Sequence, residues 1–111
     1  EGIILDPPKY GRGPTGEVWR LFEDLPEMIH LCAQLLSIDA SFLLLNAYAA
    51  RVSGPALAHL VAEAIGPQRG GIIDHGELTL IEDARPPKGQ KPSLLPPREI
   101  GLSFFARWRD A

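Results

Sequence analysis

The order in which two kinds of apolar run follow one another is what most narrows the folds open to this chain. Ile3-Ile4-Leu5 is short, β-branched and continuous, the pattern of a strand buried on both faces in a parallel sheet. Asp6-Pro7-Pro8 ends it, because proline brings no backbone donor to a ladder. Residues 9–17, with three glycines and a proline, are read as a loop, and residues 18–22 as a helical turn. Met28, Leu31, Cys32, Leu35 and Leu36 then recur at steps of three and four, which predicts one apolar helical stripe. Asp24 is the predicted N-cap of that helix, with Glu27 at capping-box spacing and Pro26 in the first turn.

Phe42-Leu43-Leu44-Leu45 is a second continuous apolar run and a second predicted buried strand, left by a loop over residues 46–52. Ser53 is placed to cap the next helix, with Pro55 in its first turn. Leu57, Leu60, Val61, Ala64 and Ile65 form its stripe, and Gly66 ends it. The rhythm then changes to strands. Residues 71–73 and 77–81 predict one strand broken around 74–76, and residues 100–108 predict a closing apolar and aromatic strand. Between them, residues 85–97 carry five prolines and are read as an exposed loop. Strand, helix, strand, helix, strand, long loop, strand predicts an α/β fold of about four strands and two helices. Most of that sheet should be parallel, and its last two strands antiparallel neighbours.

At 111 residues the chain is one domain at most. Apolar residues at 45% and charged residues at 23% are those of a folded globular chain and exclude disorder throughout. A net charge of -3 leaves no overall basic footprint for nucleic acid, so any such contact has to be local or come from elsewhere. The single cysteine, Cys32, excludes an internal disulfide and is expected to be core. No apolar run spans a bilayer and no basic-then-apolar leader opens the chain, so no membrane contact and a cytoplasmic location are expected. Glu1 stands directly before an apolar strand, which reads as an internal fragment.

The segment that carries chemistry is Asp6-Pro7-Pro8-Lys9-Tyr10. In open α/β sheets ligands bind in the crevice beyond the carboxyl ends of strands, and this segment sits at such an end. A carboxylate there accepts hydrogen bonds from an amino-bearing ligand, two prolines hold the backbone in one orientation, and Tyr10 offers a ring to stack on a planar base. Asn46 ends the second buried strand at the same sheet edge and serves either the site or a turn. Lys9, Arg12 and Arg51 are either solvated or phosphate contacts. The glycines of residues 11–16 lack the lysine and hydroxyl of a P-loop and read as a turn. His30, His59 and His75 show no metal-ligand spacing, and Phe104 and Trp108 are expected in the core.

Aspartate-proline-proline-lysine-aromatic at the end of a strand resembles the substrate motif of class I S-adenosylmethionine-dependent methyltransferases that modify nucleic acid bases. The ordered series extends the resemblance to the ribosomal RNA large-subunit (cytosine) methyltransferase family over nearly the whole chain. That series is Glu23-Asp24-Leu25-Pro26, Phe42 to Tyr48, Gly76-Glu77-Leu78 and Phe105-Ala106-Arg107-Trp108. It implies that residues 1–111 are the C-terminal half of a Rossmann-like methyltransferase domain, without the N-terminal strands that bind the cofactor. The implied cofactor is S-adenosyl-L-methionine and the implied partner is RNA. By resemblance Asp6 is the catalytic residue, and Asp6 and Pro7 also face the cofactor. Pro7, Pro8, Lys9, Tyr10 and Asn46 then bind substrate.

Two departures shape these expectations. The family's cysteine nucleophile would fall where Asn46-Ala47-Tyr48 stands, so the covalent route to carbon methylation lacks its thiol; transfer to a nitrogen or hydroxyl needs none. The glycine-rich cofactor loop is also missing, so the chain alone is expected to bind cofactor weakly and to be inactive. The rival expectation is a non-catalytic methyltransferase module that self-associates or pairs with another chain through the unpaired edge of its first strand. A nucleotide-dependent oxidoreductase shares only the general layout.

Overall fold

The computed structural model describes residues 1–48, 51–83 and 85–111; part of the predicted 46–52 loop therefore lies outside the described residues. The elements follow in the order β1 (Gly2–Leu5), β2 (Tyr10–Arg12), β3 (Val18–Arg20), α1 (Leu21–Leu35), β4 (Phe42–Ala47), α2 (Gly54–Ile65), β5 (Ile72–Ile81) and β6 (Glu99–Arg109). The main sheet has the strand order β1-β4-β6-β5. β1 and β4 are parallel, with Leu5 opposite Leu45, whereas β6 runs antiparallel to both β4 and β5. Four strands and two helices in this order match the predicted α/β class, with the final strand antiparallel.

Both helices lie on one face of the sheet. Leu43, Leu45 and Ala47 of β4 and Ala106 and Trp108 of β6 point there, against Leu21, Leu25, Ile29 and Cys32 of α1 and Leu57 and Val61 of α2. The Trp108 indole donates to the Gly70 carbonyl at 2.8 Å and lies under the Arg69 guanidinium, 4.8 Å from the ring centroid. Gly71, at φ 91°, packs against that indole and the Arg109 carbonyl, so a side chain there would displace them. Burial also pushes the Cys32 thiol up, which keeps it protonated and unreactive.

Several expectations are corrected. β1 is not buried on both faces. Ile3 and Leu5 pack on the core, whereas Ile4 is 66% exposed, since no described element covers that side of the sheet. The buried stripe of α1 is Leu21, Leu25, Ile29 and Cys32, while Met28, Leu31 and Leu35 are exposed. α1 carries two adjacent apolar stripes, and packing against α2 and the sheet selects one of them. Residues 18–20 form a strand, and α1 begins at Leu21 with Arg20 as N-cap. Asp24 acts from inside the helix, accepting from the Arg20 backbone N–H at 2.7 Å, and Pro26 lies within the helix. β4 continues through Asn46 and Ala47, and β5 is unbroken across 74–76. The irregularity in the β5–β6 ladder falls at Leu78/Thr79 instead.

The second helix follows the sequence closely. The Ser53 hydroxyl accepts from the Ala56 N–H at 3.2 Å, Pro55 sits in the first turn, and Gly66 closes the helix at φ 78°. Replacing Ser53 with alanine is expected to lower stability by about 1 kcal/mol. A urea titration showing no shift of midpoint would remove the cap from the account.

β5 and β6 reach beyond the helices as a two-stranded arm. The radius of gyration is 17.9 Å, against about 13 Å for a compact chain of this length. At the arm's far end Arg98 grips Glu82, with N–O distances of 2.6 and 3.1 Å, and the exposed 85–97 segment follows as predicted. Hydrogen bonds from the Arg98 side chain and backbone hold the Glu82 carboxyl down from its ordinary 4.5 to about 2. A carboxylate lowered in the folded state adds stability above its unfolded value and loses it as pH falls toward the folded one. Closure of the arm should therefore persist at pH 5 and weaken between about pH 4.5 and 2. Carboxyl-carbon NMR checks this: Arg98→Ala should return Glu82 to the ordinary carboxylate range, and an unmoved titration would refute the pairing.

Candidate functional site

The parallel pairing of β1 with β4 places their carboxyl ends side by side, so the residues that follow Leu5 and Leu45 meet. Asn46 Nδ2 donates to Asp6 Oδ1 at 2.7 Å, across a separation of 40 residues. Asn46 Oδ1 in turn accepts from the Ser103 hydroxyl at 2.5 Å. A loop carboxylate, a strand carboxamide and a hydroxyl from a third element thus form one hydrogen-bonded row. Because an ionised carboxylate only accepts and Ser103 donates, the Asn46 amide is fixed with its nitrogen toward Asp6. Asp6 is exposed and Asn46 half-buried, so the row is anchored at one end and open to a ligand at the other.

Ser103 reaches this place by ordinary strand alternation: Phe105 pairs with Asn46, and Ser103, two residues earlier on β6, shares its face. Leu78 pairs with Ser103 and Thr79 with Gly101, leaving Leu102 as the extra residue of β6. That insertion bends β6 beyond Ser103 and leaves the pairing of residues 103–109 regular. Spacing along the sequence offered no signal for Ser103; the serine inside the apolar run 100–105 was the one available cue.

An open cleft adjoins the row, lined among others by Lys9, Tyr48, Arg51, Glu77, Ser103 and Phe104. It joins two cations and two aromatic rings to the carboxyl end of β4. Phe104, expected in the core, is 37% exposed there, because the core-facing positions of β6 run out where β6 passes beyond the helices. Lys9 lines the cleft; Tyr10 does not. Tyr10 belongs to the β2–β3 hairpin, which the loop expectation for residues 9–17 missed. It pairs with Arg20, its hydroxyl accepts from Arg12 Nε at 2.8 Å, and its ring is half exposed. Pro8 anchors the hairpin through its carbonyl, which accepts from the Trp19 indole at 2.6 Å. The glycine-rich stretch is the hairpin's turn, closed by Gly13 N–H to the Glu17 carbonyl at 2.8 Å. The three histidines lie elsewhere: His30 beside Gln34, His59 beside Glu63, and His75 against Gly54.

A sheet with parallel β1 and β4, helices on one face, an antiparallel outer pair and a polar row at the strand ends defines part of an open, Rossmann-like α/β fold. In solved structures the chain is similar to the SAM-dependent methyltransferase from Agrobacterium tumefaciens. Identity is 38% and the TM-score 0.82, over 99% of this chain. The chain spans 33% of the length of that protein. No protein-family model matches the chain, and no curated protein does. No helix among the described residues is long and apolar enough to cross a membrane.

The chemistry of the row fits one side of S-adenosylmethionine. The exposed Asp6 carboxylate keeps Oδ2 free of donors among the described residues, and a cationic sulfonium-bearing ligand with an amino group is a suitable partner for it. The glycine-rich cradle expected of a complete cofactor site has no counterpart in this sequence.

Proposed function

We propose that the protein containing this chain transfers a methyl group from S-adenosylmethionine to an acceptor in RNA. The observation that carries this reading is the Asp6–Asn46 hydrogen bond at the joined carboxyl ends of two parallel strands. It lies in a chain 38% identical to a SAM-dependent methyltransferase. When bound, the cofactor supplies an electrophilic methyl group. Asp6 and Pro7 face it from the end of β1 and orient the acceptor, with Asp6 accepting the acceptor's N–H or O–H hydrogen. Pro7 and Pro8 restrict the backbone, so this orientation costs little ordering entropy. Asn46 holds the carboxylate from behind. Lys9 and Arg51 in the adjoining cleft suit phosphates, while Tyr48 and Phe104 there and Tyr10 on the hairpin suit base stacking. Holding the reactants in line supplies most of the acceleration in such transfers. No thiol stands near the row, which favours nitrogen or oxygen acceptors over ring carbon.

Calorimetric titration with S-adenosylmethionine and S-adenosylhomocysteine tests this reading, on the 111-residue chain and on a chain extended upstream. Binding by the extended chain, followed by transfer of labelled methyl to RNA, is the expected result. Binding by neither would reject the reading.

A second reading rests on a separate observation. β1 pairs on one side only and exposes Ile4, the profile of an edge that recruits another strand. In that reading the chain is a non-catalytic module joined to a second copy. Self-association at high concentration in sedimentation supports it, and a clean monomer rejects it.

A further inference from the structure

We infer that Ser103 is a positioning residue for the Asp6 carboxylate, acting through Asn46. The inference rests on the methyl-transfer reading of the same site and deepens it. An asparagine at a strand end can swing its carboxamide about the terminal torsion, which is broad and weakly restrained on its own. Here both ends of the amide are held: Nδ2 by Asp6 at 2.7 Å and Oδ1 by Ser103 at 2.5 Å.

Three elements meet to do this: the loop after β1 supplies Asp6, β4 supplies Asn46, and β6 supplies Ser103, two residues before Phe105, the ladder partner of Asn46.

Asn46 is the only asparagine of the chain, which makes a direct test available. In protein labelled with 15N-asparagine, the two Nδ2 protons should resonate well apart and exchange slowly with water. Ser103→Ala should speed that exchange about tenfold, the scale of one lost hydrogen bond, and Ser103→Thr, which keeps the hydroxyl, should restore it. Unchanged exchange in Ser103→Ala, or no rescue by threonine, would overturn the positioning role.

The kinetic arm uses the upstream-extended protein. Ser103→Ala should lower kcat about tenfold with KM for the cofactor unmoved, and Ser103→Thr should recover it. Wild-type protein that transfers no methyl group would reject the proposed function itself, while the Asn46 spectrum would still decide the role of Ser103.

Discussion

Asp6→Ala in the upstream-extended protein is expected to lower kcat/KM for methyl transfer by roughly two to three orders of magnitude, with the fold intact. The scale is that of removing one preorganised polar group aimed at the reacting centre. The fold should survive because Asp6 is exposed and, among the described residues, its side chain bonds only to Asn46. Losing that bond leaves the half-buried amide able to find water, at a cost near 1 kcal/mol. Asp6→Asn is the sharper variant: it keeps the shape, removes the charge, and sets one amide against another. Single-turnover methyl transfer measured beside circular dichroism separates the two effects. Wild-type turnover in either variant would remove Asp6 from the reaction, and a lost circular dichroism signal would make it structural.

Trp108→Ala carries the largest expected effect on folding. The ring is essentially fully buried, lies in β6 between β4 and β5, and closes contacts to Gly70 and Arg69 from its edge and its face. Truncating a buried aromatic of this kind costs about 3–5 kcal/mol, which is most or all of the stability of a marginal domain of this size. Urea denaturation followed by tryptophan fluorescence should find the variant largely unfolded before denaturant is added; Trp19 remains as the reporter. Trp108→Phe keeps most of the buried area and loses the indole hydrogen bond, so a much smaller loss is expected. Equal losses in the two variants would assign the stability to the hydrogen bond and not to burial.

The elements that could be read from the sequence are those whose signals are local. Ser53, Pro55 and Gly66 bound α2 as expected, because caps and proline act on backbone groups within a few residues. The strand character of 42–45 and the antiparallel final pair were legible for a similar reason: continuous apolar runs and short connections leave few topologies. α1 was harder. Its sequence bears two apolar stripes, and the spacing that marked Met28, Leu31 and Leu35 is as regular as the one that is buried. Residues 9–20 were misread because glycine and proline suggest a loop, and they are equally at home in the turn of the short β2–β3 hairpin.

The candidate site divides in the same way. Asp6 and Asn46 could be singled out separately, each as a polar residue ending an apolar strand. That they touch depends on parallel registry between β1 and β4, which places Leu5 beside Leu45. Ser103 could not be found from spacing at all, because it faces Asn46 from 57 residues away and through the antiparallel β4–β6 register. The sequence by itself determined the alternation of strands and helices, the ends of the second helix and the motif at the end of the first strand. Each of these follows from backbone constraints and periodicity within one segment. Only the tertiary structure decided which stripe of α1 is buried, that among the described residues both helices cover the same face of the sheet, and that Asp6, Asn46 and Ser103 form a single row. Those outcomes depend on which surfaces meet, a property of pairs of distant segments that no single segment encodes.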